Sequence, residues 1–372
     1  MSCFHPLKRF VIGVLNDREV ARFYPAFVEE DGRLVEVTHL VCDHNDYRPW
    51  TNSYPPPESL TAYPGVMIRC GRCMGCRIDK SKEWANRCLL ELQDHKDAYF
   101  LTLTYSDDYV PVSYFADPST AEAQPSLTLR KRDFQLFMKR LRKRVSPDKI
   151  RFFGAGEYGD KTFRPHYHII VFGLRIPDLV PYGKNFRGEM TYTSDFIHSV
   201  WSERKAPTRH GSVTPLTADK DYFCTPLGRV VIAPVTWETC AYVARYTTKK
   251  LYSEKASFYE EFNIEPPFLL MSRKPGIGMK YYDEHPDLFD HEFITVSTEK
   301  GGRKFRPPYA FEKRLALELG EDAYEVRKSD RREMMLAARQ AQLAQSSLTY
   351  GELLRVQEDN FNHRIKSLKR SL

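Results

Sequence analysis

The segment RPHYHIIVFG, residues 164–173, opens an apolar run with two histidines one residue apart. Side chains alternate along a strand, so His166, His168, Ile170 and Phe172 share one face, and Tyr167, Ile169 and Val171 share the other. Two adjacent imidazoles suit a divalent cation; a hydrogen-bonded structural pair is the competing reading. A carboxylate stands upstream in GAGEYGDKTFRPHYH, where Glu157 precedes the histidines by a hairpin-length connection. Two adjacent strands would bring Glu157 beside His166 and His168. Two nitrogens and one oxygen with open positions fit Mg²⁺ or Mn²⁺, a substrate phosphate completing the shell. Asp160, in the intervening turn, is the weaker ligand candidate.

A second cluster lies in TWETCAYVARYTTKK. At about 100° per residue, Cys240, Val243, Ala244 and Thr247 form an apolar stripe of a helix. Tyr242, Tyr246 and Lys249 stack on a different side, one turn after another. A phenol with its usual pKa of about 10 is a poor nucleophile. It can attack a phosphodiester when a metal polarises the phosphate and a cation stabilises the developing charge. Lys249 would supply that cation; the alternative is that the tyrosines are a packing pair.

These groups need a scaffold, and the surrounding pattern provides one. AYFLTLTYSDDYVP alternates, with Tyr99, Leu101, Leu103 and Tyr105 on one face and Phe100, Thr102 and Thr104 on the other, and ends at an Asp-Asp turn. RFFGAGEYG, HYHIIVFGL and GRVVIAPV are further strands. TLRKRDFQLFMKRLRKRV is a helix with Phe134, Phe137, Met138, Leu141 and Val145 as its stripe. Helical spacing of Ile78, Ala85, Cys88, Leu89 and Leu92 predicts another after the cysteines. NDYRPWTNSYPPPESL is expected to be turns and extended loop. From about Leu315 the chain is polar and helix-rich, without a strict heptad. The expected fold is α+β: a central antiparallel sheet, FLTLTY and HYHIIVF on adjacent strands, helices on one face.

At 372 residues the chain can bury a large core. Its net charge of +7 is compatible with a polyanionic partner. No apolar run is long enough to span a membrane, and the apolar stretch at the N-terminus is too quickly charged for a secretory signal. A cytoplasmic protein is expected, so the eight cysteines are thiols or metal ligands rather than disulfides. Cys70, Cys73 and Cys76, spaced C-x₂-C-x₂-C, suggest Zn²⁺, which needs a fourth ligand. His5, Cys42, His44 and Cys88 are open for that place; an iron–sulfur cluster also fits the spacing.

The order FLTLTY, RPHYHIIVFG, YVARYTTKK resembles the three motifs of HUH endonucleases that initiate rolling-circle replication. The two-tyrosine form is similar to the initiators of the Microviridae, and CGRCMGCRIDKSKEWANR and MSRKPGIG to the gokushovirus branch. The core motifs span residues 98–252, and the flanking signatures extend the likeness over most of the chain. The resemblance implies an HUH, RRM-like core. It also implies a nick at an origin that leaves a 5′-phosphotyrosine and a 3′-hydroxyl for synthesis, with a second tyrosine cutting after one round. Which of Tyr242 and Tyr246 acts first stays open. Cys3 becomes the first candidate for the fourth zinc ligand, because the resembling proteins also begin with a Cys near a Pro. That site would staple the N-terminus to the helix starting near Ile78.

Three regions follow: 1–97 with the cysteine cluster, the catalytic core 98–252, and a largely helical extension 253–372. Single-stranded and origin duplex DNA are the expected partners. Their phosphates would meet Lys131, Arg132, Lys139, Arg140, Arg142 and Lys143 on the basic helix, with Lys249, Lys250, Arg273 and Lys274 as further contacts. The sequence G-x-x-x-x-G-K-[ST] does not occur, so unwinding falls to a host helicase and synthesis to a host polymerase, in the cytoplasm of a bacterial host. A relaxase or transposase of the same chemistry is the nearest alternative. A zinc-stapled DNA-binding protein without catalysis is the alternative of a different kind.

Overall fold

The computed structural model describes residues 3–369 apart from 45, 52, 160–161, 186–187, 206–222, 250–255 and 299–300; the side chains of 204–205, 223–224, 245–249, 321 and 365–369 also lie outside the description. Strands β1 (Leu7–Leu15), β2 (Arg18–Pro25), β3 (Phe27–Glu30), β4 (Arg33–Asp43), β5 (Asp46–Thr51) and β6 (Thr61–Ile68) precede helix α1 (Met74–Gln93). Next come β7 (Ala98–Thr104), β8 (Val112–Ala116), β9 (Ala123–Leu127), α2 (Lys131–Arg144), β10 (Arg151–Tyr158) and β11 (Pro165–Phe172). Then follow β12 (Val180–Lys184), β13 (Met190–Thr193), α3 (Asp195–Val200), β14 (Ser202–Lys205), β15 (Phe223–Pro226), β16 (Val230–Pro234) and α4 (Trp237–Lys249). The chain continues through α5 (Ala256–Glu261), β17 (Phe268–Met271), α6 (Met279–Glu284), β18 (Ile294–Thr298) and β19 (Gly301–Phe305). It ends in α7 (Tyr309–Leu319), α8 (Glu321–Leu343) and α9 (Tyr350–Lys369). The fold is α+β, and contacts divide it into one unit of Met1–Asp79 with Lys313–Leu372 and another of Lys80–Glu312.

The second unit is built on a seven-stranded antiparallel sheet in the order β12-β13-β16-β7-β11-β10-β17. FLTLTY and HYHIIVF are neighbours, as their alternation predicts, with Ile169 opposite Leu101. Helices cover both faces of this sheet, however, and not one. Leu101, Leu103, Tyr167, Ile169 and Val171 are buried on one side beneath Phe134, Phe137, Met138 and Leu141 of α2. Phe153, Ala155, Ile170 and Phe172 are buried on the other, under Ala85 and Cys88 of α1 and Cys240, Val243 and Ala244 of α4. A central strand that is apolar on both faces requires cover on both.

The first unit contains a sheet where turns and loop were expected. Its path is β2-β1-β6-β4-β3, with β5 on β4, around a small core of Phe10, Val37 and Leu40. Gly65 in β6 is required because a Cβ there would lie 2.3 Å from the Phe10 ring. Within this unit Phe27 meets Tyr350 of α9 edge-on at 5.9 Å. Buried Lys8 pairs with Glu36 at 2.8 Å, and Arg339 also binds that carboxylate. Among the described residues, no helix is long and apolar enough to cross a membrane.

Candidate metal centre and its tyrosine

Register alone brings the three predicted ligands together. In the β10–β11 pair Glu157 lies opposite His166 and Ala155 opposite His168. His166 Nε2 and His168 Nε2 approach the same oxygen, Glu157 Oε1, at 2.8 and 2.9 Å. Glu157 is 4% and His168 6% exposed, whereas the His166 side chain is 18% exposed. The cluster therefore has a closed inner side and an open outer one.

Each imidazole is held from behind. His166 Nδ1 lies 3.1 Å from the Arg164 carbonyl, which can only accept, so Nδ1 carries the proton. In the neutral ring its Nε2 lone pair then faces a carboxylate oxygen, an arrangement that needs a cation between them. His168 Nδ1 lies 3.1 Å from Thr102 Oγ1, and its ring stacks on Phe100 at 5.4 Å and 11°. Burial raises the Glu157 pKa, but bonds from His166 and His168 outweigh it and hold the carboxyl below its usual range. Burial keeps His168 below the ordinary histidine value, outweighing the raising effect of Glu157. A deprotonated carboxylate and a neutral imidazole are the ligand forms a metal needs. Adjacent ligands of an octahedral ion at roughly 2.1 Å stand about 3 Å apart, close to the spacing of this trio. The donor set fits a divalent cation.

Thr102 and Phe100 are the functional residues that motif reasoning passed over. The signal was present: Phe100, Thr102 and Thr104 alternate onto the face that His166 and His168 occupy.

Helix α4 crosses this face. Cys240, Val243 and Ala244 are fully buried against the sheet. The Tyr242 ring stands edge-on to His168 with centroids 5.1 Å apart, and at 6.3 Å from Phe100. The side chains of Tyr246 and Lys249, and all of Lys250 and Asp160, lie outside the described residues.

The basic helix α2 packs on the opposite face of the sheet from the histidines. Lys131, Arg132, Lys139, Arg142 and Lys143 are exposed there. Arg140 is bound within the fold, donating to the Leu136 carbonyl at 3.2 Å and to the Ser202 carbonyl. Arg273 and Lys274 are exposed beyond β17, beside the Arg151 end of β10. That is roughly 20 Å along the strand from Glu157.

The cysteines form a separate cluster inside the first unit. Ligand atoms of Cys3, Cys70, Cys73 and Cys76 all lie within 4.8 Å of one another. Cys3 Sγ is 3.7 Å from Cys70 Sγ, and Cys70 Sγ is 4.0 Å from Cys76 Sγ. Tetrahedral zinc–sulfur bonds of about 2.3 Å put sulfurs about 3.8 Å apart. Gly71, with φ +72°, makes the tight turn between the first two ligands of the run. The N–H groups of Arg72 and Cys73 donate to Cys70 Sγ, and that of Phe4 to Cys73 Sγ. Burial alone would raise the Cys73 thiol, but N–H groups of Cys76, Phe4 and His5 bring it down to about 7. Of the other candidates for the fourth place, His5 binds Glu358 and Cys88 is buried under the sheet of the second unit.

Residues 98–251 match the family model for replication-associated protein ORF2. The chain is 30% identical to replication-associated protein ORF2 of Spiroplasma virus 4 over 312 residues, covering 82% of this chain and 85% of that protein. It is 29% identical to replication-associated protein VP4 of Bdellovibrio phage phiMH2K over 241 residues, or 63% of each. A third likeness, 29% over 190 residues, is to replication-associated protein ORF4 of Chlamydia phage 1, with 49% of this chain and 38% of that protein covered. No solved structure matches.

Proposed function

We propose a function from one premise: this chain belongs to the family of replication-associated proteins that these three viral proteins represent. Its role is to initiate rolling-circle replication by nicking one DNA strand at an origin, through an HUH-type site within residues 98–252. The observation that carries this reading is the convergence of Glu157, His166 and His168 with Tyr242 on one face of the sheet. Mg²⁺ or Mn²⁺ held by the three ligands would polarise the scissile phosphate. The phenol oxygen of Tyr242 or Tyr246 then attacks phosphorus. The bond from phosphorus to the 3′ oxygen breaks, the phenol gives up its proton, and the 3′ oxygen leaves as a hydroxyl. The products are a 5′-phosphotyrosine and a primer end. Lys249 supplies the cation for the developing charge, and the second tyrosine repeats the transfer to release a circle.

The remaining assignments follow from this reading. The four cysteines hold a structural Zn²⁺ that staples the N-terminus. The exposed bases of α2, with Lys250, Arg273 and Lys274, bind DNA phosphates away from the cut. A host helicase and a host polymerase complete the cycle in the bacterial cytoplasm.

Incubation with single-stranded origin DNA and Mn²⁺ tests the reading. A covalent protein–DNA adduct is expected from the wild type and from at least one of Tyr242→Phe and Tyr246→Phe, and none from the double variant. An adduct that survives the double variant would withdraw both tyrosines. A wild type that binds DNA but never forms an adduct would leave a DNA-binding protein without catalysis. If Tyr246→Phe alone removed every adduct, Tyr242 would be a packing residue and the two-step transfer would be given up.

A further inference from the structure

The ligand row does not stop at the histidines. Glu157 on β10 faces His166 on β11, and His166 faces Thr104 on β7. On the far side of β7 the register pairs Val230 with Leu103 and Val231 with Thr102. One step further, the Thr104 N–H and hydroxyl both donate to the Arg229 carbonyl, at 3.0 and 3.3 Å. Arg229 therefore continues the row Glu157–His166–Thr104. Val230 and Ile232 are buried with the core behind the sheet, so alternation turns Arg229 to the histidine side.

The position is fixed by close packing. A Cβ at Gly228 would lie 2.2 Å from the Thr104 carbonyl and 2.6 Å from the Ser106 N. Only glycine lets the chain press so closely on the end of β7 immediately before Arg229. Arg229 is exposed, and its guanidinium has no hydrogen bond or ion pair among the described residues. Arg164, next to the histidines in sequence, is already engaged by the Tyr105 carbonyl at 2.9 Å and Asp107 at 2.6 Å. Two strand spacings, about 10 Å, separate the backbones of Arg229 and His166. An arginine stem bridges much of that gap and presents a planar fork matched to phosphate oxygens.

We propose that Arg229 binds the DNA backbone beside the phosphate held at the Glu157–His166–His168 cluster, so that the strand lies across β11 and β7 on this face. The proposal rests on the nicking reading for the meaning of the cluster, and its test does not depend on cleavage. Affinity for single-stranded DNA is measured in EDTA over a range of salt for the wild type, Arg229→Gln and Arg229→Lys, with the melting temperature of each. Loss of one phosphate contact on single-stranded DNA reduces the salt slope by about 0.7, which is about fivefold in affinity at 0.1 M salt. Arg229→Gln should show that loss at an unchanged melting temperature, and Arg229→Lys should restore the slope. An Arg229→Gln slope equal to that of the wild type overturns the proposal. A reduced slope in a protein that never forms an adduct would instead overturn the nicking reading and keep Arg229 as a DNA contact.

Discussion

The two candidate metal clusters are built on opposite kinds of backbone. Glu157, His166 and His168 stand on adjacent strands of a wide sheet, positioned by a ladder that exists whether or not an ion is bound. Cys3, Cys70 and Cys73 lie outside regular structure, and Cys76 is in the first turn of α1. Sulfur–sulfur and N–H···S contacts bring these four together across 67 residues of chain. Donor number separates them as well. Four sulfurs close a tetrahedral shell and leave no place for substrate, whereas three donors leave an octahedral shell half open. One cluster is designed to hold the chain, the other to hold something the chain does not supply.

The largest expected effect follows from that difference. A structural zinc site contributes on the order of 10 kcal/mol of binding energy linked to folding. Cys70→Ser, Cys73→Ser or strong chelation should therefore melt the first unit, and metal analysis of the wild type should find one zinc per chain. A zinc-free protein with an unchanged melting curve would erase the contrast between the clusters.

Removing the strand-built ligands should do the reverse: abolish adduct formation and spare the fold. His166→Ala with His168→Ala is an imperfect probe, because it leaves the buried Glu157 carboxylate without its partners, at a cost of about 3–5 kcal/mol. Adding Glu157→Gln removes the charge at the same time. The triple variant should melt within a few degrees of the wild type, keep its DNA affinity, and form no adduct. A collapse of stability would mean that this trio is a structural polar cluster, equivalent in role to the cysteines.

The contrast was unevenly legible in the sequence. His166 and His168 were readable because a period of two forces them to one face, and Glu157 because a hairpin connection leaves few registers. Cysteine spacing exposed three of four sulfur ligands; Cys3, far upstream, needed the likeness to relatives to be singled out. The first-unit sheet was hidden for a physical reason. Strand β2 buries almost nothing, and β5 and β6 contain Pro49 and Pro64, which argue against strands wherever the ladder is not yet known. Cover on both faces was missed because α1 and α4 meet the sheet with Ala85, Cys88, Cys240 and Ala244. Such small residues let helices approach closely but give a weak hydrophobic signal.

If the second unit does not depend on its metal site for stability, other buried charges must matter more. Glu91 is 2% exposed and accepts from Arg151, and from the Gly278 N–H at 2.7 Å. Arg151 also donates to the carbonyls of Pro275 and Gly276, so the pair ties α1, β10 and the MSRKPGIG loop together. Burial raises the Glu91 pKa, but bonds from His95, Arg151 and Gly278 outweigh it and leave the carboxyl below its usual value. A depressed carboxyl stabilises the fold above its unfolded pKa, near 4.3, and this contribution is lost as pH falls through the lower folded value. Glu91→Gln should cost about 3 kcal/mol at neutral pH and flatten the acid limb of the stability curve. An equally steep acid limb in the variant would assign the acid sensitivity to other carboxylates.

The smallest effect concerns orientation, which an open site needs more than a closed one. Four thiolates around an ion constrain one another, but an imidazole in an incomplete shell can turn away unless its second nitrogen is held. His166 is held by the Arg164 carbonyl, which no side-chain substitution removes. His168 is held by Thr102 Oγ1 at 3.1 Å. Thr102→Val keeps the shape and deletes the oxygen, so Mn²⁺ affinity measured by calorimetry should fall about 10–100-fold, the usual penalty for losing such a partner. Thr102→Ser should retain affinity near that of the wild type. The melting temperature should move little in either, because Phe100 still stacks on the ring. Equal Mn²⁺ affinity in Thr102→Val and the wild type would show that packing alone orients His168, and the open cluster would then be as self-sufficient as the closed one.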